Sequence, residues 1–578
     1  MGAEVMDAHR PVIMGMRHAI STGHYYASQA GFDILNNGGN AIDAGVAAGL
    51  AIGVLQSEFV NIAGIAPIMI RLAGSDTVLT IDGVGVWPKS VPPELFIDGN
   101  NQHIPEGIAR TLTPGAPGSW LFALERYGTK TFGEVVAAAI RFASDGFPMY
   151  PQMTRNITSD EESLRRWPSS VAVYLPNDRP PQVGELFKQP DLARTLQYMA
   201  DEAAAHEGEG RVAGIRAAYD AFYKGDIAKT ITDYHSENGG FLTMEDMAAH
   251  TPRLEPPIRV PFRGLDVFGF GPCASGPVLT QALMLADGFD LEGMGHNSPA
   301  YIHTIAESMK LAFADRDRHC GDPAFIDVPL DGLYDPAYLE GRRALIDSEK
   351  AWPELPPAGN PRTGAPTMEG GHLFAPSLNP EPPAGDTSVV CVVDADGNAF
   401  VATPSDIPRD TPVIPGTGVC PSSRGSQSWA VRGHAACLAP GKRSRLSSNP
   451  MMALKDGEPY MVWATPGSDV QPQATLQVLL NHVVFGMDVQ EAIEAPRFAT
   501  YSFPGSFEPH DYYPGRLNLE ARIPKATGDA LSALGHKVQW WPEWIFRAGG
   551  VCAVQIDPET GMRSAGGDPR RPSYALGW

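Results

Sequence analysis

The hydrophobic pattern is clearest near the start of the chain, where residues 27–55 have the sequence ASQAGFDILNNGGNAIDAGVAAGLAIGVL. Two apolar stretches flank the polar break Asn37-Gly38-Gly39. A glycine in this break suits the left-handed cap that ends a helix, and Asn40 suits the N-cap of the next one. The pattern predicts two helices, and the second is rich enough in Ala and Gly to be closely packed and buried.

Shorter runs of apolar and β-branched residues predict strands further along. Ile68 to Leu72 and Thr77 to Asp82 are two such runs, joined by a Gly-Ser-Asp turn. From about 130 to 345 helical periodicity dominates, with Pro-containing breaks. A chain of 578 residues with this mixture predicts two structural units or one large layered domain.

Residues 353–385 differ from the rest, because they are dense in Pro and Gly and have little periodicity. Such a segment cannot bury enough apolar surface to fold alone, so a mobile linker is predicted. The β-branched run from Thr387 to Asp394 follows at once and predicts a buried strand. Asp396-Gly397 then predicts a two-residue hairpin turn into a second strand, Ala399 to Thr403. A mobile linker that leads directly into a central strand beginning with threonine is the arrangement expected if the chain is cut before that threonine, which then becomes a new N-terminus.

Composition excludes several classes of partner. The formal charge of −22 is spread over the chain, and such an acidic surface disfavours nucleic acid and anionic membranes. No stretch reaches the roughly 18 unbroken apolar residues of a membrane span, and the N-terminus has no apolar region behind a basic start. The six cysteines have no CxxC spacing, which favours buried free thiols over a disulfide framework or a zinc site. We expect a soluble, cytoplasmic protein.

Thr387 is the residue whose position suggests chemistry. A threonine hydroxyl is a weak nucleophile until a base takes its proton, and an α-amine on the same residue, with a pKa of about 7.7–8.0, can be that base. Freeing the amine requires cleavage between Asp386 and Thr387, by attack of the hydroxyl on the Asp386 carbonyl and hydrolysis of the resulting ester. A threonine at a strand start is more often structural, and the linker before it favours the nucleophile.

Several segments resemble the γ-glutamyltransferase family in order and spacing, across nearly the whole chain. They are Ala27 to Asp43, Thr113-Pro-Gly-Ala-Pro-Gly118, Asp386-Thr-Ser with VVDADGNA after it, Ala439-Pro-Gly-Lys-Arg443 with Asn449-Pro450, Ala495-Pro-Arg-Phe498, and Gly566-Gly-Asp-Pro-Arg570. The resemblance implies an N-terminal-nucleophile hydrolase with an α+β fold, a four-layer αββα sandwich of two mostly antiparallel sheets between helices.

The resemblance also implies roles for particular residues. Thr387 would be the nucleophile and, through its amine, the general base. Gly467 and Ser468 match the tight turn whose backbone N–H groups form the oxyanion hole, where such donors contribute a few kcal/mol each. Thr403 and Ser405 match hydroxyls near the nucleophile, with an ordinary loop serine as the alternative for Ser405.

The family's serine pair is matched only in part. Ser447 stands at one of its two positions, and Leu446 stands at the other in gapless register. A shift by one residue would restore the pair as Ser447 and Ser448, and both registers stay open.

The chain departs from the family where the transferases bind the substrate's α-carboxylate. Their arginine lies in an Asp-Gly-Arg-Glu motif, and here Asp82-Gly83-Val84-Gly85 puts Val84 at that position. Valine offers no charged, bidentate partner, so a γ-glutamyl substrate is not favoured.

Other features resemble hydrolase-type homologues, which include oxamate amidohydrolase and cephalosporin acylase relatives. These features are Arg424-Gly425 and the string from Gly467 to Gln473. Arg424 is a candidate anchor for a substrate carboxylate or carbonyl, with a surface or salt-bridged arginine as the alternative. Asp469 is a candidate for orienting the turn or for contacting a substrate amine.

We therefore expect a precursor that yields a large chain, 1–386, and a small chain, 387–578, interlocked as a heterodimer, with a higher homo-oligomer left open. The expected reaction is acyl transfer from a small amide or acyl-amine to water, without a metal or an organic cofactor. One alternative is a γ-glutamyl transferase or glutathione hydrolase with a relocated carboxylate anchor. Another is a catalytically inactive homologue that acts in binding or assembly.

Overall fold

The computed structural model describes residues 8–368, 376–379, 381 and 387–578, so the predicted cleavage-site residue Asp386 lies outside the described residues. The helices before residue 369 are α1 Tyr25–Asn36, α2 Ala41–Leu55, α3 Ala116–Tyr127, α4 Phe132–Ser144, α5 Pro151–Ser159, α6 Glu161–Leu164, α7 Pro168–Tyr174, α8 Pro190–His206, α9 Arg211–Tyr223, α10 Asp226–Glu237, α11 Met244–Ala249, α12 Gly276–Ala286, α13 Leu291–Met294, α14 Pro299–His319, α15 Leu330–Leu333 and α16 Pro336–Arg343. After residue 386 they are α17 Gln471–Val483, α18 Val489–Glu494 and α19 Lys525–Ala533.

The strands before residue 369 are β1 Ile13–Gly15, β2 Ala19–Thr22, β3 Ile68–Arg71, β4 Val78–Ile81, β5 Phe147–Pro148, β6 Leu186–Phe187, β7 Leu254–Glu255, β8 Ile258–Phe262 and β9 Leu265–Gly269. After residue 386 they are β10 Val390–Val393, β11 Ala399–Ala402, β12 Met451–Lys455, β13 Glu458–Ala464, β14 Phe498–Thr500, β15 Arg516–Glu520, β16 Lys537–Trp541, β17 Cys552–Ile556, β18 Arg563–Gly567 and β19 Tyr574–Gly577.

Two seven-stranded sheets form the centre of the molecule. Sheet I has the order β1-β18-β17-β13-β12-β9-β8, and sheet II has the order β19-β2-β10-β11-β3-β4-β7. Neighbouring strands in both sheets are antiparallel. Small sheets of two strands (β5, β6) and three strands (β14, β15, β16) lie outside them.

Three hydrophobic cores separate four layers. One lies between the sheets, where side chains such as Cys391 and Val401 of sheet II share a core with Val462 of sheet I. The alternate side chains of sheet II, such as Val390 and Phe400, pack on the outer helices with α2. The other face of sheet I packs on α12, α14, α17 and α18. The predicted αββα sandwich is confirmed.

The first two helices are confirmed, and α2 shows why its sequence is rich in small residues. Asn40 caps the helix in a capping box with Asp43, and every residue of α2 is buried. A Cβ atom on Gly45 would lie 2.3 Å from the ring of Phe400, so the helix lies on sheet II only because that position has no side chain. No helix in the described residues is long and apolar enough to span a membrane.

The structure differs from the sequence prediction at two hairpins. The hairpin β8–β9 lies inside the region predicted to be mainly helical, because Ile258, Val260 and Phe262 are buried while the residues between them are exposed, a strand period of two. The loop after β10 has three residues rather than two, since the Asp394 N–H donates to the Asn398 carbonyl at 3.1 Å.

Part of the predicted linker is packed on the body. Leu355 is buried in the core beneath sheet I, and the Gly359 N–H donates to the Asp315 carboxylate at 2.9 Å. Arg342 donates to the carbonyls of Pro357 and Pro366. Hydrogen bonds of this irregular backbone to the body, rather than a periodic apolar pattern, hold residues 353–368 in place.

Candidate active site

Strand register places Thr387 beside Ser405. In the β10–β11 pair Val390 lies opposite Ala402, and the Ser388 N–H donates to the Pro404 carbonyl at 2.9 Å, so the pairing continues past the strand end. Continuing this register puts Thr387 opposite Ser405, and their hydroxyl oxygens are 2.9 Å apart. Side chains alternate along an extended chain, so Thr387 faces the space between the sheets, as Cys391 does. Only 3% of Thr387 is exposed.

The predicted oxyanion turn approaches from the other sheet. It follows β13 and leads into α17, with positive φ angles of 119° at Gly467 and 53° at Ser468. Gln471, the first residue of α17, donates from its side-chain amide to the Thr387 hydroxyl at 3.4 Å. Thr387 and the residues that follow this turn therefore meet at one end of the inter-sheet layer. A helix N-terminus at this point favours developing negative charge.

A buried chain of polar side chains continues from Thr387. Arg424 is 1% exposed and donates to the Ser405 hydroxyl and, at 3.3 Å, to the side-chain carbonyl of Gln427. The Gln427 amide in turn donates to the Ser447 hydroxyl at 3.1 Å. Asp406 supplies a counter-charge 3.6 Å from the guanidinium. Thus Thr387, Ser405, Arg424 and Ser447, all singled out in the sequence, belong to one network.

Two predicted residues have other surroundings. The Thr403 hydroxyl is buried without a hydrogen-bond partner among the described residues, and register places it opposite Val389, two cross-strand pairs from the Thr387–Ser405 pair. Asp469 forms an ion pair with Arg316 at 2.7 Å and accepts hydrogen bonds from Ser506. Of the two roles considered for Asp469, these contacts fit orientation of the turn.

Within the described part of the chain, no cation stands at the position of the lost arginine. Val84 is buried in the core between the sheets. The neighbouring Asp82 pairs with Arg443 at 3.2 Å, and burial raises the pKa of Asp82 to about 6 although Arg443 acts to lower it. Arg443 also pairs with Glu255 and Asp322, each at 2.7 Å. Its guanidinium therefore already forms ion pairs with three carboxylates of the protein.

Sequence reasoning missed Gln471 and Gln427. Gln471 stands four residues after Gly467 and just before Pro472, a residue favoured in the first turn of a helix, which could have marked its side chain as pointing back to the turn. Gln427 follows Arg424 by three residues in a short 3₁₀ turn, where residues i and i+3 share a face.

A cluster of metal-ligand types lies away from this site. His303 and Glu307 of α14 and His536 are buried together, the one such group in the described part of the chain. His303 Nδ1 is 2.9 Å from His536 Nε2, and Lys310 donates to Glu307 at 2.7 Å. Burial, with the nearby Lys310 and His303, lowers the pKa of His536 to about 2. The lysine already neutralises the carboxylate, so the cluster fits internal hydrogen bonding better than cation binding.

The chain is similar in sequence and in fold to several known proteins. The family model described as gamma-glutamyltranspeptidase matches residues 27–578. The acylase ACY 1 proenzyme of Pseudomonas sp. (strain SE83) is 34% identical over 95% of this chain and 92% of its own length. The glutathione hydrolase proenzyme of Bacillus subtilis (strain 168) is 30% identical over 99% of this chain and 93% of its own. The crystal structure of cephalosporin acylase from Bacillus halodurans is 26% identical, covers 99% of this chain and 98% of that one, and has a TM-score of 0.85.

Proposed function

The chain belongs to the gamma-glutamyltranspeptidase family of amide-bond hydrolases and transpeptidases, and on that basis we propose that Thr387 is its nucleophile. Relatives in this family are named as proenzymes. The observation that carries the proposal is the position of the Thr387 hydroxyl, 2.9 Å from the Ser405 hydroxyl and 3.4 Å from the Gln471 amide. Both neighbours hold the oxygen at the end of the inter-sheet layer, beside the turn that begins α17.

The first reaction is self-cleavage. The Thr387 oxygen attacks the Asp386 carbonyl, the amide nitrogen of Thr387 leaves as an amine, and water hydrolyses the ester. The products are a large chain, 1–386, and a small chain, 387–578, that begins with the nucleophile.

The second reaction is turnover of substrate. The new α-amine takes the hydroxyl proton as Thr387 attacks the substrate's acyl carbon. The turn at Gly467 and Ser468 stabilises the oxyanion, the substrate amine leaves, and water deacylates the enzyme. Ser405, held by Arg424, orients the threonine oxygen throughout.

The acyl group is not expected to be γ-glutamyl. Val84 is buried between the sheets, and Arg443 beside it already binds three carboxylates. The relatives include proteins named acylases as well as glutathione hydrolases, so simple N-acyl amides are the first class to screen.

Intact mass and N-terminal sequencing of wild type beside Thr387→Ala test the nucleophile. We expect wild type to give two fragments, the smaller beginning Thr-Ser-Val-Val, and the variant to stay whole. A wild-type chain that never cleaves would reject the mechanism and favour an inactive binding protein. Faster release of nitroaniline from γ-glutamyl-nitroanilide than from neutral acyl-nitroanilides would instead favour the glutathione-hydrolase alternative.

A further inference from the structure

A cavity of about 560 Å³ lies between the N-terminal ends of α1 and α5 and the segment that leads into β19. Its walls include Tyr25 and Pro151, the first residues of those two helices, and residues 569–574. The volume is within the range of about 300–1,000 Å³ that is typical of sites for small organic ligands. Thr387 and its hydrogen-bond partners are not among the described lining residues, so this is a second cavity, separate from the proposed reaction site.

The lining of this cavity is positively charged, in a chain whose formal net charge is −22. Among the described residues it contains four arginines and no aspartate or glutamate. Arg570 is already neutralised by Glu520 and Asp568, at 2.6 and 3.1 Å. Arg10 donates to backbone carbonyls and Arg155 is exposed, and neither forms an ion pair within the described part of the chain. The cavity therefore presents two cationic side chains that a bound anion can neutralise.

The two helix N-termini at the cavity add to this preference for an anion. Neither α1 nor α5 has an acidic residue in its first turn, and no side chain caps α5. The first N–H groups of each helix carry the partial positive charge of the helix dipole. Phosphate and other anions bind at such N-termini because the N–H groups point toward the ligand.

A buried donor at the start of α5 is independent evidence for a ligand. Gln152 lines the cavity and is only 5% exposed, yet its side-chain Nε2 has no hydrogen-bond partner among the described residues. A buried donor that lacks an acceptor destabilises a fold, so native proteins satisfy nearly all of them. An oxygen of a ligand bound in the cavity supplies the acceptor that the protein does not.

The remaining walls of the cavity suit an aromatic ring. Tyr25 and Tyr574 are 37% and 45% exposed, and three prolines add apolar surface to the lining. The Arg10 guanidinium lies over the Tyr574 ring, 5.5 Å from its centroid. A cation beside an aromatic face matches a ligand in which an anionic group is attached to a planar ring. A bare anion would leave most of the cavity unfilled.

We propose that this cavity binds a phosphate monoester that carries an aromatic ring, such as a nucleoside monophosphate. Arg10, Arg155 and the Gln152 amide bind the phosphate at the N-terminus of α5. Tyr25 and Tyr574 flank the ring. Phosphate is favoured over carboxylate because these donors come from separate segments of the chain, and three terminal oxygens can meet more of them than two. The site is independent of the proposed reaction, so the failure of one leaves the other standing.

Isothermal titration calorimetry of the full chain tests the site, with adenosine monophosphate, phenyl phosphate, inorganic phosphate, adenosine and benzoate as probes. We expect adenosine monophosphate to bind at least about 10-fold more tightly than inorganic phosphate or adenosine, because each of these lacks one half of the ligand. In Arg155→Ala its affinity falls by about 10-fold or more, and Arg155→Lys retains part of it. Tyr574→Val lowers the affinity for adenosine monophosphate but not for inorganic phosphate. The matched control is Arg141→Ala, which removes an exposed arginine of α4 outside the lining and leaves binding unchanged.

The outcomes separate the parts of this proposal. Weaker binding in Arg155→Ala and Tyr574→Val, with melting temperatures like that of wild type, supports the site. Unchanged affinity in both variants would place the ligand elsewhere and overturn it. Tighter binding of benzoate than of phenyl phosphate would overturn the choice of phosphate, and equal affinity for adenosine and its monophosphate would overturn the choice of an anion. Absence of binding by all five probes at millimolar concentration would overturn the site as a whole.

Discussion

Single side chains around Thr387 differ in whether they contact its hydroxyl oxygen directly. Gln471 does so, and its side-chain carbonyl accepts from the Asn449 N–H at 3.2 Å, which fixes the amide with its NH₂ toward the Thr387 hydroxyl. Gln471 is completely buried, so water cannot replace the lost donor at no cost. It is a positioning donor on the threonine hydroxyl.

Substitution Gln471→Glu should therefore slow both self-cleavage and turnover by about 10-fold or more, because it removes the donor and adds an acceptor of similar shape. The measurement is the half-time of processing by gel and kcat on a nitroanilide substrate. Gln477→Glu, further along the same helix and hydrogen-bonded to the Phe498 carbonyl, is the control for burying a charge in α17. Equal slowing in both variants would assign the effect to folding.

The sequence could predict the part of the site that follows from local register. Thr387 and Ser405 lie just beyond the paired ends of the two strands of one hairpin, and the strand register places them opposite each other. Arg424 was found only through the family resemblance. Gln471 and Gln427 could not be predicted as neighbours, because their approach depends on how sheet I packs on sheet II, which no local pattern encodes.

Among the helices and strands, the loop after β10 has a structural role of its own. The Asp394 carboxylate accepts from the backbone N–H groups of Ala41, Asp396 and Asn398 and from the Asn398 side chain. Ala41 is the first residue of α2, so one buried carboxylate fixes both the β10–β11 loop and the start of the central helix.

We expect Asp394→Ala to lower the free energy of unfolding by about 3 kcal/mol, because several buried donors lose a charged acceptor. Thermal unfolding of the uncut Thr387→Ala chain provides the measurement without a second chain. Asp396→Ala, in the same loop but exposed, should change stability by less than about 0.5 kcal/mol. Similar losses in the two variants would mean that the loop, rather than the carboxylate, is responsible.

The start of α1 makes stability depend on pH. His24 caps the helix by accepting from the Tyr26 N–H at 3.2 Å, and burial lowers the pKa of His24 to about 3. The unfolded value is about 6.5, so between these values the unfolded chain binds a proton that the folded chain does not. The stability that comes from keeping His24 neutral is fully present above pH 6.5 and is lost as pH falls toward 3. By pH 5 the free energy of unfolding has fallen by about 2 kcal/mol.

His24→Asn keeps a capping acceptor and removes the titration. The melting temperature of the variant, in the uncut chain, should fall less between pH 7 and pH 5 than that of the parent. His206→Asn is a histidine control at the end of α8, outside the α1 cap. Parallel melting curves for parent and His24→Asn across this pH range would contradict the linkage.

The elements themselves were predictable to different degrees. Helices α1 and α2 have strong periodicity and clear caps, and the β10–β11 pair has a dense β-branched pattern, so all four were predicted. The short β8–β9 hairpin was missed because only the five residues of β8 alternate, and so short a pattern is easily absorbed into a long helical region. The packing of residues 353–368 was missed because it depends on hydrogen bonds from irregular backbone to α14 and α16.

In the molecule as a whole, both central sheets contain strands from before and from after residue 387. Five strand pairs join a strand before it to a strand after it: β1–β18, β2–β10, β2–β19, β3–β11 and β9–β12. Both central sheets are therefore composite, and the core between them draws on both parts. Cutting the chain at one point removes none of these hydrogen bonds.

The processed enzyme should therefore behave as one folding unit. We expect the two fragments to co-elute in size-exclusion chromatography at the volume of uncut Thr387→Ala, and to separate only at the denaturant concentration that also abolishes the circular dichroism signal. The physical reason is that separating them exposes both faces of each sheet, which is equivalent to unfolding. Fragments that separate in native buffer while keeping their secondary structure would show instead that each part folds alone, contrary to the composite sheets.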